Sequence, residues 1–309
     1  MSKKRRRRGF WMGFLVLILA AGAHAEEAQA FVTGVKGKAR IGRADGKDVA
    51  TKVGNQLFVG DKLHVSEGEV ILIYLSGRSE KVGAGKTHSV KKGKDKASPL
   101  MRRIKDTLGE IAGPQKDAER PVVHGMVRGF AGLTGALPAN SRVSSGNFAF
   151  EWDSLEGIEE YEFTLESAKG GVLITRTVTG RRLAAEELAL KPGRRYVWKV
   201  EETNTFLPRS SGKSWVLVAT SEDGGALRRE LDEVVGTYDE ETTVMLQTAI
   251  LYRGEYFFEA ERVLQEVQKK RPLTEAEKRI LLATYVEMKR WERLPADDTP
   301  NAGSRTETR

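Results

Sequence analysis

Apolar and polar positions alternate in short runs over the first two thirds of the chain. Over the last third apolar residues recur three and four apart, so strands are expected first and helices after them. From Phe31 to Val90 the runs include Val32-Thr33-Gly34-Val35, Leu57-Phe58-Val59 and Val70-Ile71-Leu72-Ile73-Tyr74-Leu75, closed by Gly60-Asp61 and Ser76-Gly77. Such runs, rich in β-branched and aromatic residues and ended by turn formers, predict strands joined by tight turns. A second alternating region runs from about Val143 to Thr220. It contains Phe148-Ala149-Phe150-Glu151-Trp152, Tyr161-Glu162-Phe163-Thr164-Leu165, Val172-Leu173-Ile174-Thr175 and Tyr196-Val197-Trp198-Lys199-Val200, with turns at Gly170-Gly171 and Pro192-Gly193. That spacing predicts a β-sandwich with Trp152 and Trp198 in its core, on opposing sheets.

Helical spacing covers Leu227 to Val235, Thr242 to Arg253, Phe257 to Lys270 and Thr274 to Arg290, with breaks at Gly254 and Pro272. A shorter amphipathic helix is expected behind Ser98-Pro99, where Leu100, Ile104, Leu108 and Ile111 share a face. Gly113-Pro114 to Arg142 reads as a glycine- and proline-rich linker in which Phe130 and Leu133 have no assigned place.

The head of the chain is different. Lys3, Lys4 and Arg5 to Arg8 precede an apolar run from Phe10 to Ala23, then Ala23-His24-Ala25 before Glu26-Glu27. That is the arrangement of a secretory signal peptide, with Ala28-Gln29-Ala30 as a second cleavage candidate. The apolar run is shorter than the ~20 residues a spanning helix needs. The expected compartment is therefore the periplasm after cleavage; the alternative is an inner-membrane anchor made by an uncleaved N-terminus. The head holds six of the net +8 charges, leaving the rest of the chain near +2, and nucleic acid is not an expected partner. The absence of cysteine excludes disulfides, thiolate metal sites and cysteine nucleophiles.

The expected organisation is a signal at 1–25, a small β-domain at 31–97, a short helix and linker at 98–142, a sandwich at 143–220, helices at 222–292 and a disordered tail at 293–309. The fold class is mainly β with an α-helical C-terminal part. Three resemblances sharpen it. Val35-x-Gly37-x-Ala39-x-Ile41, Gly54-x-x-Leu57-x-x-Gly60-Asp61-x-Leu63 and the strand Val70 to Leu75 resemble the FecR-like periplasmic domain, which implies a binding module of the cell envelope. In the regulators that give this family its name, a cytoplasmic segment engages a sigma factor. Here about nine residues precede the apolar run, so that role is not carried over. Leu190-x-Pro192-Gly193-x-x-Tyr196 resembles the tyrosine corner of fibronectin type III and related Ig-like sandwiches. Leu251, Gly254, Phe257, Ala260, Leu264, Val267 and Pro272 resemble a tetratricopeptide repeat, present here for at most one and a half repeats. Three stacked repeats are the usual minimum for an independent solenoid, so this hairpin is expected to dock on the sandwich or on a partner.

Candidate chemistry is sparse. Glu80-Lys81-Val82-Gly83-Ala84-Gly85-Lys86-Thr87 misses a phosphate-binding loop because Glu80 stands where the first glycine belongs. The Gly212-Lys213-Ser214 triplet fails likewise at Leu207. Behind the signal, His64, His88 and His124 have no metal-ligand spacing, and there is no G-x-S-x-G motif. Acidic neighbours such as Glu159-Glu160 and Glu186-Glu187 point apart on a regular element. No enzyme activity, metal or cofactor is expected. The one charged feature is the stretch Lys86, Lys91, Lys92, Lys94, Lys96, Arg102, Arg103 and Lys105, set against a single carboxylate, Asp95. Its expected role is contact with an envelope component: a wall or anionic polymer, an envelope protein, or a membrane surface touched peripherally. The leading expectation is a non-enzymatic envelope scaffold; its rival is a membrane-anchored signalling protein of the FecR type. The sequence leaves the oligomeric state open.

Overall fold

The computed structural model describes residues 27–93, 96–109, 133–144, 148–153, 158–203 and 208–293. The expected signal, Lys94, Ile111, His124, Phe130 and the expected tail beyond Arg293 lie outside them.

Two long antiparallel strands, β1 (Ala30–Gly42) and β4 (Lys62–Tyr74), form the spine of the first domain. Short strands pair with their ends: β2 (Asp48–Ala50) and β3 (Gln56–Leu57) with β1, β5 (Ser79–Gly83) and β6 (Thr87–Ser89) with β4. Each long strand carries one unpaired extra residue, Thr33 in β1 and Ser66 in β4. An extra residue flips every later side chain to the opposite face. Leu63 and Val65 therefore point into the same core as Val70, Leu72 and Tyr74, although their sequence parity differs. Midway, Gly37 and Gly68 face each other with positive φ. A Cβ at Gly68 would lie 1.8 Å from the Lys36 carbonyl oxygen, so only glycine allows so close a crossing. Asp61 of the Gly60-Asp61 pair is buried. Its carboxylate accepts from the Phe58 and Ala44 N–H groups and from Arg43 at 2.6 Å, which holds the preceding loop.

The second unit pairs a five-stranded sheet with a two-stranded one. The larger sheet has the order β10 (Val172–Thr179), β9 (Glu160–Ser167), β12 (Arg195–Glu202), β13 (Ser214–Val218) and β7 (Ser141–Val143), the last pair being parallel. The smaller is β8 (Ala149–Glu151) with β11 (Arg182–Ala184). Between them Phe150 packs on Phe163 and Trp198 with ring centroids 5.1 and 5.0 Å apart, and Trp152 sits edge-on to Tyr161 at 5.4 Å. The Tyr196 hydroxyl accepts from the Lys191 N–H at 2.9 Å, closing the turn that the Pro-Gly-x-x-Tyr pattern predicts. Leu133 packs into this core. The run from Val172 forms a strand as expected, but its first two residues stay outside the core: Val172 and Leu173 are 62% and 54% exposed. They open the edge strand β10 next to its bulge, where no neighbour covers them.

Among the described residues five α-helices accompany the strands: α1 (Pro99–Thr107), α2 (Ser221–Val234), α3 (Glu240–Arg253), α4 (Phe257–Lys270) and α5 (Glu275–Glu287). Ser98 caps α1, while Thr220 with Asp223 and Thr274 with Glu277 form reciprocal capping boxes on α2 and α5. The helices pack on both β units. On the first, Phe31, Ile73 and Leu75 join Leu100, Ile104, Val244, Leu246, Ile250 and Ile280 in one continuous core. Val70 to Leu75 is thus buried on both faces, alternate residues serving the domain's own core and the core shared with the helices. On the sandwich side, Phe258 of α4 enters the aromatic core.

Candidate functional site

The basic stretch splits once folded. Lys105 is held by Glu27 at 2.6 Å, and Arg103 by Glu230 of α2 at 3.1 Å. Arg102 donates to the Ala97 carbonyl beside the start of α1. Lys105 and Arg103 thus meet carboxylates, while Arg102 stays exposed with no carboxylate partner among the described residues. Lys94 lies outside the described residues. Lys86, Lys91, Lys92 and Lys96 are exposed and make no ion pair among the described residues.

Their backbone is well anchored. Val90 is buried and exchanges hydrogen bonds with Gly60 and Asp61, and the Gly93 N–H donates to the Gln29 side chain at 3.1 Å. With Val90 pointing inward, Ser89 and Lys91 point outward. The register sets Lys62 opposite Ser89 and His64 opposite Thr87 on that outward side. Lys62 therefore joins the strip, a contribution the sequence hid because it lies 24 positions before Lys86. The exposed large apolar side chains, Val49, Val172, Leu173, Val235 and Val286, lie elsewhere.

The same hairpin holds the nearest approach to catalytic geometry. Leu63 faces His88 and Leu72 faces Glu80 across the ladders, so both polar side chains project from the core-facing side. The His88 ring lies 2.6 Å through Nε2 from the Tyr74 hydroxyl and 3.1 Å through Nδ1 from Glu80. Arg78 closes the group, pairing with Glu80 at 3.1 Å and lying 4.5 Å over the Tyr74 ring. Burial, reinforced by the Glu80 charge, pushes the Tyr74 phenol up to about 12, so it stays protonated at neutral pH. A phenol held protonated is a hydrogen-bond donor and a poor nucleophile. The cluster ties β4, β5 and β6 together at one end of the domain. The His64 ring lies 2.8 Å through Nδ1 from the Thr87 hydroxyl. Among the described residues no group of three or more His, Asp or Glu is placed to hold a metal ion. The Gly-Lys-Thr near-miss is the turn between β5 and β6, with no helix behind it to receive a phosphate.

Where β7 meets α4 a different chemistry gathers. The N-cap of α4, Tyr256, offers no side-chain cap, and the buried Ser141 hydroxyl of the sandwich accepts from the Phe258 N–H at 3.1 Å in its place. The Ser144 N–H and hydroxyl both donate to the Glu259 carboxylate, at 2.8 and 3.1 Å. Asn140 donates to the Met288 carbonyl and accepts from the Trp215 N–H, both at 3.3 Å. Burial raises the Glu259 carboxyl above its ordinary range and does the same to Glu261, which pairs with Arg290 at 2.6 Å. Each keeps one buried carboxyl oxygen without a partner among the described residues.

No described helix is long and apolar enough to cross a membrane. No known protein family matches the chain, and no curated protein matches it. Among solved structures the chain is similar to a cell surface anchoring domain (18% identity, TM-score 0.21), over 21% of this chain and 87% of that one. It is also similar to a Fn3-like protein from Clostridium thermocellum, at 16% identity and TM-score 0.22, over 29% of this chain and 94% of that one. A two-domain fibronectin type-III segment of chicken tenascin aligns at 12% identity and TM-score 0.20, over 63% of this chain and 94% of that segment.

Proposed function

We propose that this chain is an exported, non-enzymatic envelope scaffold. In this reading it consists of a FecR-like β-domain, a fibronectin type III-like sandwich and a tetratricopeptide-like helical end, and it grips an anionic envelope polymer through the β-domain. The observation that carries the reading is the lysine strip. Lys62, Lys86, Lys91, Lys92 and Lys96 are exposed and without ion pairs among the described residues; Lys62 lies in the β4–β6 ladder, and Lys86 and Lys91 lie close to the two ends of β6. Lysine is a strongly hydrated point charge, suited to delocalised attraction and not to a fixed bidentate grip. Among the described residues no exposed large apolar side chain belongs to the strip. Stable seating on a bilayer usually needs an apolar or lipid anchor beside the charges. That combination favours a soluble or wall-bound polyanion over a membrane surface. The helical hairpin supplies rigidity in this scheme, since its faces pack on the chain's own two β units.

The test is adsorption to polygalacturonate and to polyphosphate beads, with neutral dextran as control, using protein recovered from the periplasmic fraction. Retention at low salt that fades as salt approaches physiological strength is expected, because exposed charges are screened over ~8 Å there. Replacing Lys86, Lys91, Lys92 and Lys96 with glutamine should abolish it and leave the melting temperature unchanged. Equal retention of the variant would remove the strip from the function.

A further inference from the structure

A cleft of 390 Å³ opens between the sandwich and the helical end, far along the chain from the lysine strip. Trp152, Arg181 and Arg182 line it from the sandwich, and Gln265, Arg290 and Arg293 from the helical side. Its size falls within the ~300–1,000 Å³ usual for small-molecule sites. We propose that this cleft binds a small polar molecule carrying one carboxylate.

Three observations lead there. Arg290 is committed to the fold: its side chain is 4% exposed, and it pairs with buried Glu261 at 2.6 Å and with Glu292 at 3.2 Å. The other three arginines are different. Arg182 meets Glu151 at 3.1 Å and Arg293 meets Asp153 at 3.6 Å, all four side chains about half exposed or more. Such solvated pairs are weak and hold the guanidinium forks near the cleft without saturating them. Arg181 is exposed and has no ion pair among the described residues. Arg181 is thus the lining guanidinium left without a carboxylate partner among the described residues.

The second observation is an orphan donor. Trp152 is 3% exposed, yet its Nε1–H has no acceptor among the described residues. A buried donor without a partner is costly, and native structures seldom leave one so. A carboxylate answers both needs, being planar, acceptor-only, able to take a guanidinium fork on one edge and still accept from an indole N–H. The third is composition. A wall of arginines, a glutamine and two acidic residues suits a hydrophilic body behind the carboxylate, such as an acidic sugar or an N-acylated amino acid. Because the cleft has walls from both units, its occupant would also bridge the sandwich to the helices.

The test uses the full chain labelled at its tryptophan indole nitrogens, with the Trp152 resonance identified by its loss in Trp152→Phe. Glucuronate and N-acetylalanine are titrated separately, each against its neutral counterpart, glucose and N-acetylalaninamide. A saturable shift of the Trp152 indole with either carboxylate, absent with its neutral counterpart, is the expected result; which probe acts identifies the body of the ligand. Arg181→Gln and, separately, Arg182→Gln should each weaken it about tenfold or more, as expected for a lost charge-assisted hydrogen bond. No saturable shift with either carboxylate would overturn the proposal. So would an equal shift with the neutral counterparts, or unchanged affinity in folded Arg181→Gln and Arg182→Gln. Since the lysine strip is untouched, none of these outcomes bears on polymer adsorption.

Discussion

The helical end meets its two neighbours by different chemistry. Against the β-domain it is apolar and continuous: Phe31, Ile73 and Leu75 interleave with Val244, Leu246 and Ile250, and the principal buried polar link is the Thr33–Thr242 hydroxyl pair at 2.8 Å. Against the sandwich it is mainly a seam of hydrogen bonds from Asn140, Ser141 and Ser144, with Phe258 as the main apolar plug. Apolar burial is cumulative and non-directional, so the first joint is expected to fold and unfold as part of one unit. The seam depends on individual polar groups whose loss leaves partners unpaired. It can open without exposing either core in full. The lysine strip thus belongs to the unit with the apolar joint, and the sandwich is joined through individual polar groups.

The largest predicted effect lies in the shared core. Ile73→Ala on the β side and Leu246→Ala on the helix side should each cost about 2–5 kcal/mol, the usual range for a buried aliphatic truncation. Both should lower the same transition, followed by β and helix signals alike in denaturant titration. Separate β and helix transitions would break the comparison. Ser141→Ala comes next. It removes the cap of α4 in trans and should cost about 1–3 kcal/mol, the penalty for an orphaned buried donor. That loss should appear in the sandwich–helix joint and leave tryptophan packing inside the sandwich unchanged; proteolysis at the joint is the readout.

The smallest effect is in pH. Burial raises the folded Glu259 carboxyl above the ordinary glutamate value of 4.5, so folding favours its protonated form. Its contribution is therefore complete below that value and is lost as pH rises through the raised one. Glu261 shifts in the same direction and adds to the slope. Melting curves across mildly acid to neutral pH should show stability contributed by these groups declining upward, and Glu259→Gln should flatten that decline in part. An unchanged slope in the variant would assign it elsewhere.

Much of this architecture was legible in the residues. Not all of it was: Val70 to Leu75 is apolar at both parities, so only the bulge at Ser66 shows that Leu63 and Val65 share a core with Val70, Leu72 and Tyr74. The unbroken run Val70 to Leu75 is the signature of a strand covered on both sides, and its second cover proved to be the helical end. The Pro-Gly-x-x-Tyr turn and the pair Trp152 and Trp198 read correctly because each pattern is local. What sequence could not give depends on long-range partners. Glu27 and Glu230 take Lys105 and Arg103 out of the basic strip, while the β4–β6 register brings Lys62 in. Val172 and Leu173 have strand composition, yet composition does not reveal that their strand is an edge. The cleft was invisible for the same reason, since its walls come from residues 152, 181, 182, 265, 290 and 293.

Native-state hydrogen exchange across a denaturant series tests the central claim most directly. The account predicts that amides of Val70 and Leu72 in β4 and of Leu246 and Ile250 in α3 open with one free energy and one denaturant dependence. Phe163 and Trp198 in the sandwich should follow a separate course. If α3 instead opened together with the sandwich, or independently of β4, the shared core would not be a unit and the two joints would not differ as described.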